Sequence, residues 1–253
     1  MKTIIESITE IKNFDFKNAT QKEIEEALPT FGMNDEQTFE MPKEFDQYMG
    51  WGVKFWQYPN QFSKLLYFLK NKDISSYLEI GCRWGGTFII MNELLRRYNP
   101  HLEAFANDFI APSDILHTYQ NSFEGNKFTY LQMESNGPYF FYSLGQDISR
   151  PKPQVDLVFV DGNHLYWGIK EDYHRALSLG AKYIIFHDIA SQSCPTAKWS
   201  WNEIKKNHKK VYEYTDQYDS VKGSYLGIGI VEVTKEDLIF PFFREYYRDL
   251  FGE

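Results

Sequence analysis

From Pro59 onward the apolar positions fall into two alternating rhythms. Phe62, Leu65, Leu66 and Leu69 recur at the spacing of one helix face, which predicts an amphipathic helix. Short apolar runs follow at Tyr77 to Ile80, Leu102 to Asn107, Phe128 to Met133, Val155 to Val160 and Tyr183 to Phe186, with helical stretches between them. This alternation predicts a parallel sheet covered on both faces, and the run VDLVFV has the near-continuous apolar content of a central strand. Val211 to Tyr214 and Leu226 to Val233 read as two further strands joined by a polar, glycine-containing connection. With no helix between them, the last pair is expected to be antiparallel. The fold class is α/β.

The first fifty residues are more polar and less regular. Thr20-Gln21-Lys22-Glu23 has the form of a capping box opening a short helix that Pro29 closes. The expected organisation is therefore an N-terminal extension over residues 1–58, a main domain over 59–235 and a helical tail over 236–253. Met49, Trp51, Trp56 and Tyr58 could fold the extension over a pocket as a lid, or pack it against the outside of the core. The aromatic and charged run Phe240 to Phe251 suits a surface helix or a subunit contact, which leaves a homo-oligomer open.

Composition narrows the function more than the fold. Aromatics make up 18% of the 253 residues, enough for a core and for a pocket wall that stacks flat groups or sugars. The formal net charge of −8 leaves no basic footprint for a nucleic-acid backbone, so a small or neutral partner is favoured. The N-terminus lacks the cationic start and apolar core of a secretion signal, and no apolar run is long enough to span a membrane. A cytoplasmic protein is expected. Cys82 and Cys194 form no C-x-x-C pair and read as reduced thiols.

The most informative stretch is Ser76 to Phe88, SYLEIGCRWGGTF, where an extended run meets an acid and then glycines at the start of a predicted helix. Gly81 allows a tight turn, and Gly85 and Gly86 would let backbone approach a ligand. The dinucleotide fingerprint G-x-G-x-x-G lacks its middle glycine here, and Glu79 would repel a diphosphate. A cationic amino-acid cofactor would be welcome beside that acid. The block resembles the first motif of class I S-adenosylmethionine-dependent methyltransferases. That resemblance implies a three-layer, Rossmann-like sheet of seven strands, mostly parallel with one reversed strand at the end, and S-adenosylmethionine as cofactor.

Ligands of open α/β sheets bind beyond the carboxyl ends of the strands. Asp108 stands where an acid would accept hydrogen bonds from ribose hydroxyls, although it could equally cap the next helix. Met133 and Ser135 are the candidates for an adenine contact. Asp161 and Asp188 close the fourth and fifth strands and would share one cleft, where two carboxylates need a positive charge between them. A magnesium or manganese ion would supply it.

The D-x-x-H element with an acid at the next strand end resembles metal-dependent sugar O-methyltransferases of macrolide tailoring. That resemblance implies Asp161 as a metal ligand also facing the cofactor, His164 as general base near its unperturbed pKa of about 6.5, and Asp188 as the last acid of a metal-binding pair. His187 stands where that pair has its first acid, and an imidazole suits softer ions. The expected activity is O-methylation of a carbohydrate hydroxyl on a small-molecule or nucleotide-linked sugar. Catechol-type methylation, a nicotinamide-dependent oxidoreductase and a non-catalytic nucleoside-binding module are the alternatives.

Overall fold

All seven expected strands form, within a residue or two of the sequence reading: β1 (Ser76–Ile80), β2 (Glu103–Asp108), β3 (Thr129–Gln132), β4 (Leu157–Val160), β5 (Tyr183–Phe186), β6 (Val211–Tyr214) and β7 (Ile228–Glu232). The computed structural model describes residues 1–122, 128–137, 139–144, 155–234 and residue 237. The tail expected over 236–253 lies, but for Asp237, outside the described residues. The strands make one sheet in the order β3-β2-β1-β4-β5-β7-β6. β7 runs antiparallel to both β5 and β6, and every other pair is parallel. This is the mostly parallel, seven-stranded arrangement that the glycine block implies.

The helices are α1 (Ile4–Asn13), α2 (Gln21–Ala27), α3 (Pro59–Leu69), α4 (Gly86–Arg96), α5 (Asp114–Ser122), α6 (Phe140–Ser143), α7 (Tyr166–Ser178) and α8 (Pro195–Ile204). Because β side chains alternate, Leu78, Ile80, Val158, Val160, Ile184 and Phe186 enter one core with Ile169, Tyr173 and Trp201 of α7 and α8. Tyr77, Phe159 and Ile185 enter the opposite core with Phe62, Leu65, Leu66 and Leu69 of α3 and Phe88 and Met91 of α4. The sheet is thus buried on both faces, as its apolar strands require.

The N-terminal segment belongs to that second core. Thr3 and Thr20 each cap a helix through a reciprocal capping box, with Glu6 and Glu23 as partners. Ile8, Ile11, Phe16, Ile24, Leu28 and Phe31 are fully or almost fully buried beside the α3 and α4 side chains. At about 1.5 to 3 kcal/mol per fully buried side chain, they hold the segment in place. Gly86 shows how tight the contact is: a Cβ there would lie 2.3 Å from the Val53 carbonyl oxygen and 2.6 Å from Phe55 N.

Candidate functional site

Register aligns the strand ends. Ile80 pairs with Asn107 and with Val160, and Val160 pairs with Phe186. The next residues, Gly81, Asp108, Asp161 and His187, therefore emerge side by side along the carboxyl edge. They line a cleft of about 740 Å³ together with Glu79, Gly85, Met133, Ser135, His164, Asp188 and Cys194. Every site residue expected from the sequence lies in this one cleft.

On the side toward β2, Glu79 is almost completely buried and accepts a hydrogen bond from the Tyr77 hydroxyl. Burial, with Asp161 and Asp108 nearby, pushes its carboxyl well above the usual range despite that bond. A nearby cation would favour its ionised form. Gly81 sits at φ +85°, and a Cβ would lie 2.2 Å from the Asp161 carbonyl oxygen, so only glycine lets β1 and β4 end together. Gly85 lines the cleft, but its missing Cβ makes room for Leu116 at 2.4 Å. The glycines expected to admit a ligand thus also admit neighbouring protein.

Asp108 accepts the Arg83 backbone N–H at 2.8 Å and that of Ile110 at 3.3 Å. These bonds fix the carboxylate at the β2 end without consuming all its lone pairs. Ser135 donates to Asp172 Oδ1 of α7 at 2.6 Å, while Asp172 Oδ2 lacks a hydrogen-bond partner among the described residues. Burial lifts the Asp172 carboxyl to about 6, outweighing the Ser135 bond and the Arg175 charge. A folded-state pKa raised above the ordinary 3.8 means that folding costs nothing extra below pH 3.8. The penalty then grows as pH rises through the window from 3.8 to about 6. Asp172→Asn, which still accepts the Ser135 bond, is expected to gain about 3 kcal/mol of stability at pH 7.5 and less than about 1 kcal/mol at pH 4. Thermal unfolding of parent and variant at the two pH values checks this.

The side toward β5 is a closed ring of alternating charges. Asp161 Oδ1 lies 3.1 Å from His164 Nε2, and His164 Nδ1 lies 3.4 Å from Asp188 Oδ2. Asp188 Oδ1 lies 3.5 Å from His187 Nδ1, which returns to Asp161 Oδ1 at 2.9 Å. Burial alone would depress His164, but its bonds to Asp161 and Cys194 and the charge of Asp188 raise it to about 11, far from the expected 6.5. Burial likewise opposes the His187 charge, and the two aspartates raise it nonetheless. Against its own burial, the two imidazoles pull Asp161 down to about 2. Two imidazoles thus stand beside the aspartates where a positive charge was expected.

This ring does not fit a hard ion such as magnesium or manganese. Asp161, Asp188 and His187 are not gathered around one point; the groupings that converge are Asp161, His164, His187 and His164, Asp188, Cys194. Each includes an imidazole, and the second a thiol, whereas magnesium asks for oxygen in near-ideal octahedral order.

Two contributors carry no signal in the sequence, and a third, Cys194, reads there as a reduced thiol without its partner. Glu36 forms an ion pair with Arg83 at 3.0 Å across the cleft mouth. Glu40, 2% exposed, accepts the Ser193 hydroxyl at 2.6 Å. Its burial, with the Asp188 charge, raises its carboxyl pKa in spite of the Ser193 bond. Cys194, at the cap of α8, lies with Sγ 3.5 Å from His164 Nδ1. No local pattern marks Glu36 or Glu40, because tertiary packing of the N-terminal segment delivers them.

No family model matches the chain, and no curated protein matches it. It is similar to an O-methyltransferase from Bacillus cereus in complex with SAH, at 16% identity and a TM-score of 0.46, over 67% of this chain and 79% of that one. It is also similar to the O-methyltransferase of tomaymycin synthesis from Streptomyces achromogenes in complex with SAM, at 16% identity and a TM-score of 0.49, over 92% of this chain and 100% of that one. A spermidine synthase from Thermotoga maritima is similar at 12% identity and a TM-score of 0.42, over 66% of this chain and 56% of that one. At these identities the likeness concerns the fold, which serves more than one chemistry. The chain is a Rossmann-like α/β protein with an acidic cleft at its strand ends, and the function must be argued from that cleft.

Proposed function

We propose that this chain is a cytoplasmic S-adenosylmethionine-dependent O-methyltransferase acting on a carbohydrate hydroxyl of a small-molecule or nucleotide-linked sugar. The observation that carries the reading is Glu79: a buried acid beside a glycine turn, on the same edge as a histidine held between aspartates. When bound, the cofactor supplies an electrophilic methyl group. Glu79 holds its ammonium, Asp108 its ribose hydroxyls, and Met133 and Ser135 border its adenine, with Gly81 and Gly85 shaping the turn. Asp161 stands between cofactor and acceptor.

His164 takes the acceptor's proton at Nδ1, while Asp161 holds Nε2 and stabilises the imidazolium that results. A ring with so high an affinity for protons is a strong base once neutral, and a neighbouring sulfonium favours the neutral form by like charge. In-line placement of oxygen and methyl supplies much of the remaining acceleration. The aspartates and His187 serve here as charge partners, and no step depends on magnesium.

Trp56 and Trp84 line the cleft, so ligand binding reads as a change in tryptophan fluorescence. Titration is expected to saturate at micromolar S-adenosylmethionine and to give no response to a nicotinamide dinucleotide. Labelled donor should then transfer its methyl to a member of a panel of free and nucleotide-linked sugars. Saturation by the dinucleotide alone would replace this reading with an oxidoreductase. Donor binding without transfer to any sugar or catechol would leave a binding module.

A further inference from the structure

His164, Asp188 and Cys194 bring a nitrogen, an oxygen and a sulfur donor together at the end of the cleft. Nδ1 of His164 lies 3.4 Å from Asp188 Oδ2 and 3.5 Å from Cys194 Sγ. All three donor atoms lie within 4.8 Å of one another. An ion bound at about 2.0 Å to nitrogen and oxygen and 2.3 Å to sulfur spaces tetrahedral donors by roughly 3.3 to 3.5 Å. From this match we propose that the three residues form a binding site for a zinc-class divalent transition ion, distinct from the oxygen-ligand magnesium site that the sequence suggests.

The surroundings are those of a built site. A metal-binding imidazole generally donates its other ring N–H to a carboxylate, which fixes ring and tautomer. Asp161 Oδ1 stands at 3.1 Å from Nε2 in that role, leaving Nδ1 for the ion. The Thr196 hydroxyl donates to the His164 carbonyl at 2.6 Å and so ties the α8 cap, with Cys194, to the loop that carries the imidazole. Asp188 sits in the left-handed region at φ +59° and is only 5% exposed, and its Oδ1 has no hydrogen-bond partner among the described residues. Thiolate and imidazole prefer zinc or cobalt to magnesium. All three residues line the cleft, so the fourth position opens toward solvent or substrate.

Binding would release the ring and thiol protons, since only the deprotonated groups coordinate. Ion and acceptor proton then compete for one atom, His164 Nδ1, and the loaded chain has no free base at that position. The site itself stands on geometry alone and would survive failure of the methyltransferase reading.

Cobalt(II) titration of the metal-stripped full chain tests it. Expected are visible bands of tetrahedral intensity and a near-ultraviolet thiolate-to-cobalt charge-transfer band, saturating at one equivalent, displaced by zinc and untouched by magnesium. Cys194→Ser, at a half-buried helix cap, should abolish the charge-transfer band. Asp188→Ala should weaken cobalt binding by more than roughly tenfold. X-ray absorption of the zinc-loaded parent, which needs no variant, should show one sulfur among its donors. An all-oxygen shell, no charge-transfer band, or a band unchanged in Cys194→Ser would overturn the site.

Discussion

Glu79→Gln is expected to weaken binding of S-adenosylmethionine roughly 100-fold, the worth of one buried charge-assisted hydrogen bond of about 3 kcal/mol. The amide keeps the acceptor for the Tyr77 hydroxyl, so the local fold should persist. Without ligand the substitution removes a carboxyl whose burial raises its pKa well above the ordinary value. For an acid of that kind, stability is lost as pH rises above the unfolded pKa. The ligand-free variant should therefore unfold at the same temperature as the parent at neutral pH, or higher. With ligand the sign reverses. An ammonium favours the ionised carboxyl, so binding expels whatever proton Glu79 carries, and the parent's affinity should rise with pH more steeply than the variant's. Fluorescence or calorimetric titration at several pH values measures both effects. An affinity unchanged within about twofold would place the ammonium elsewhere and remove the observation on which the cofactor assignment rests.

The sheet was legible because its signal is local. Five apolar runs spaced by helices, and two more without a helix between them, predict strand count and the reversed β7, and the pairing agrees. The Thr20 to Glu23 box was legible for the same reason, yet Thr3 to Glu6 carries the same T-x-x-E signature and opens α1 unannounced. What sequence could not supply was distance between elements. Asp161 and Asp188 were expected to need an external cation, because nothing in D-x-x-H tells that the histidine turns back between the acids. Cys194 read as an ordinary thiol because its partner is thirty positions away in the chain. Gly85 and Gly86 read as room for a ligand; both line the cleft, but only tertiary contacts show that a Cβ there would also meet Leu116 or residues 53–55. Local periodicity specifies elements; register and the loops after β4 and β5 specify chemistry.

His164→Ala is expected to lower kcat of the metal-stripped protein by roughly 10² to 10⁴-fold, the usual contribution of a positioned acid–base group. Its side chain is about a third exposed, so truncation leaves no large cavity, and the fold should survive. The split between parameters is the informative part. Because His164 is assigned to the acceptor's proton and not to the cofactor, the dissociation constant for S-adenosylmethionine should stay within about twofold of the parent. A merely structural role, linking Asp161 to Asp188, would instead disturb the cleft and weaken cofactor binding along with turnover. Asp161→Asn provides the comparison: its amide still contacts Nε2 but no longer stabilises the imidazolium, so kcat should fall while the ring stays in place. Single-turnover methyl transfer and cofactor titration on the three proteins decide the matter. Turnover of His164→Ala within about tenfold of the parent would show that the acceptor oxygen loses its proton to another group lining the cleft, such as Asp188 or Glu40.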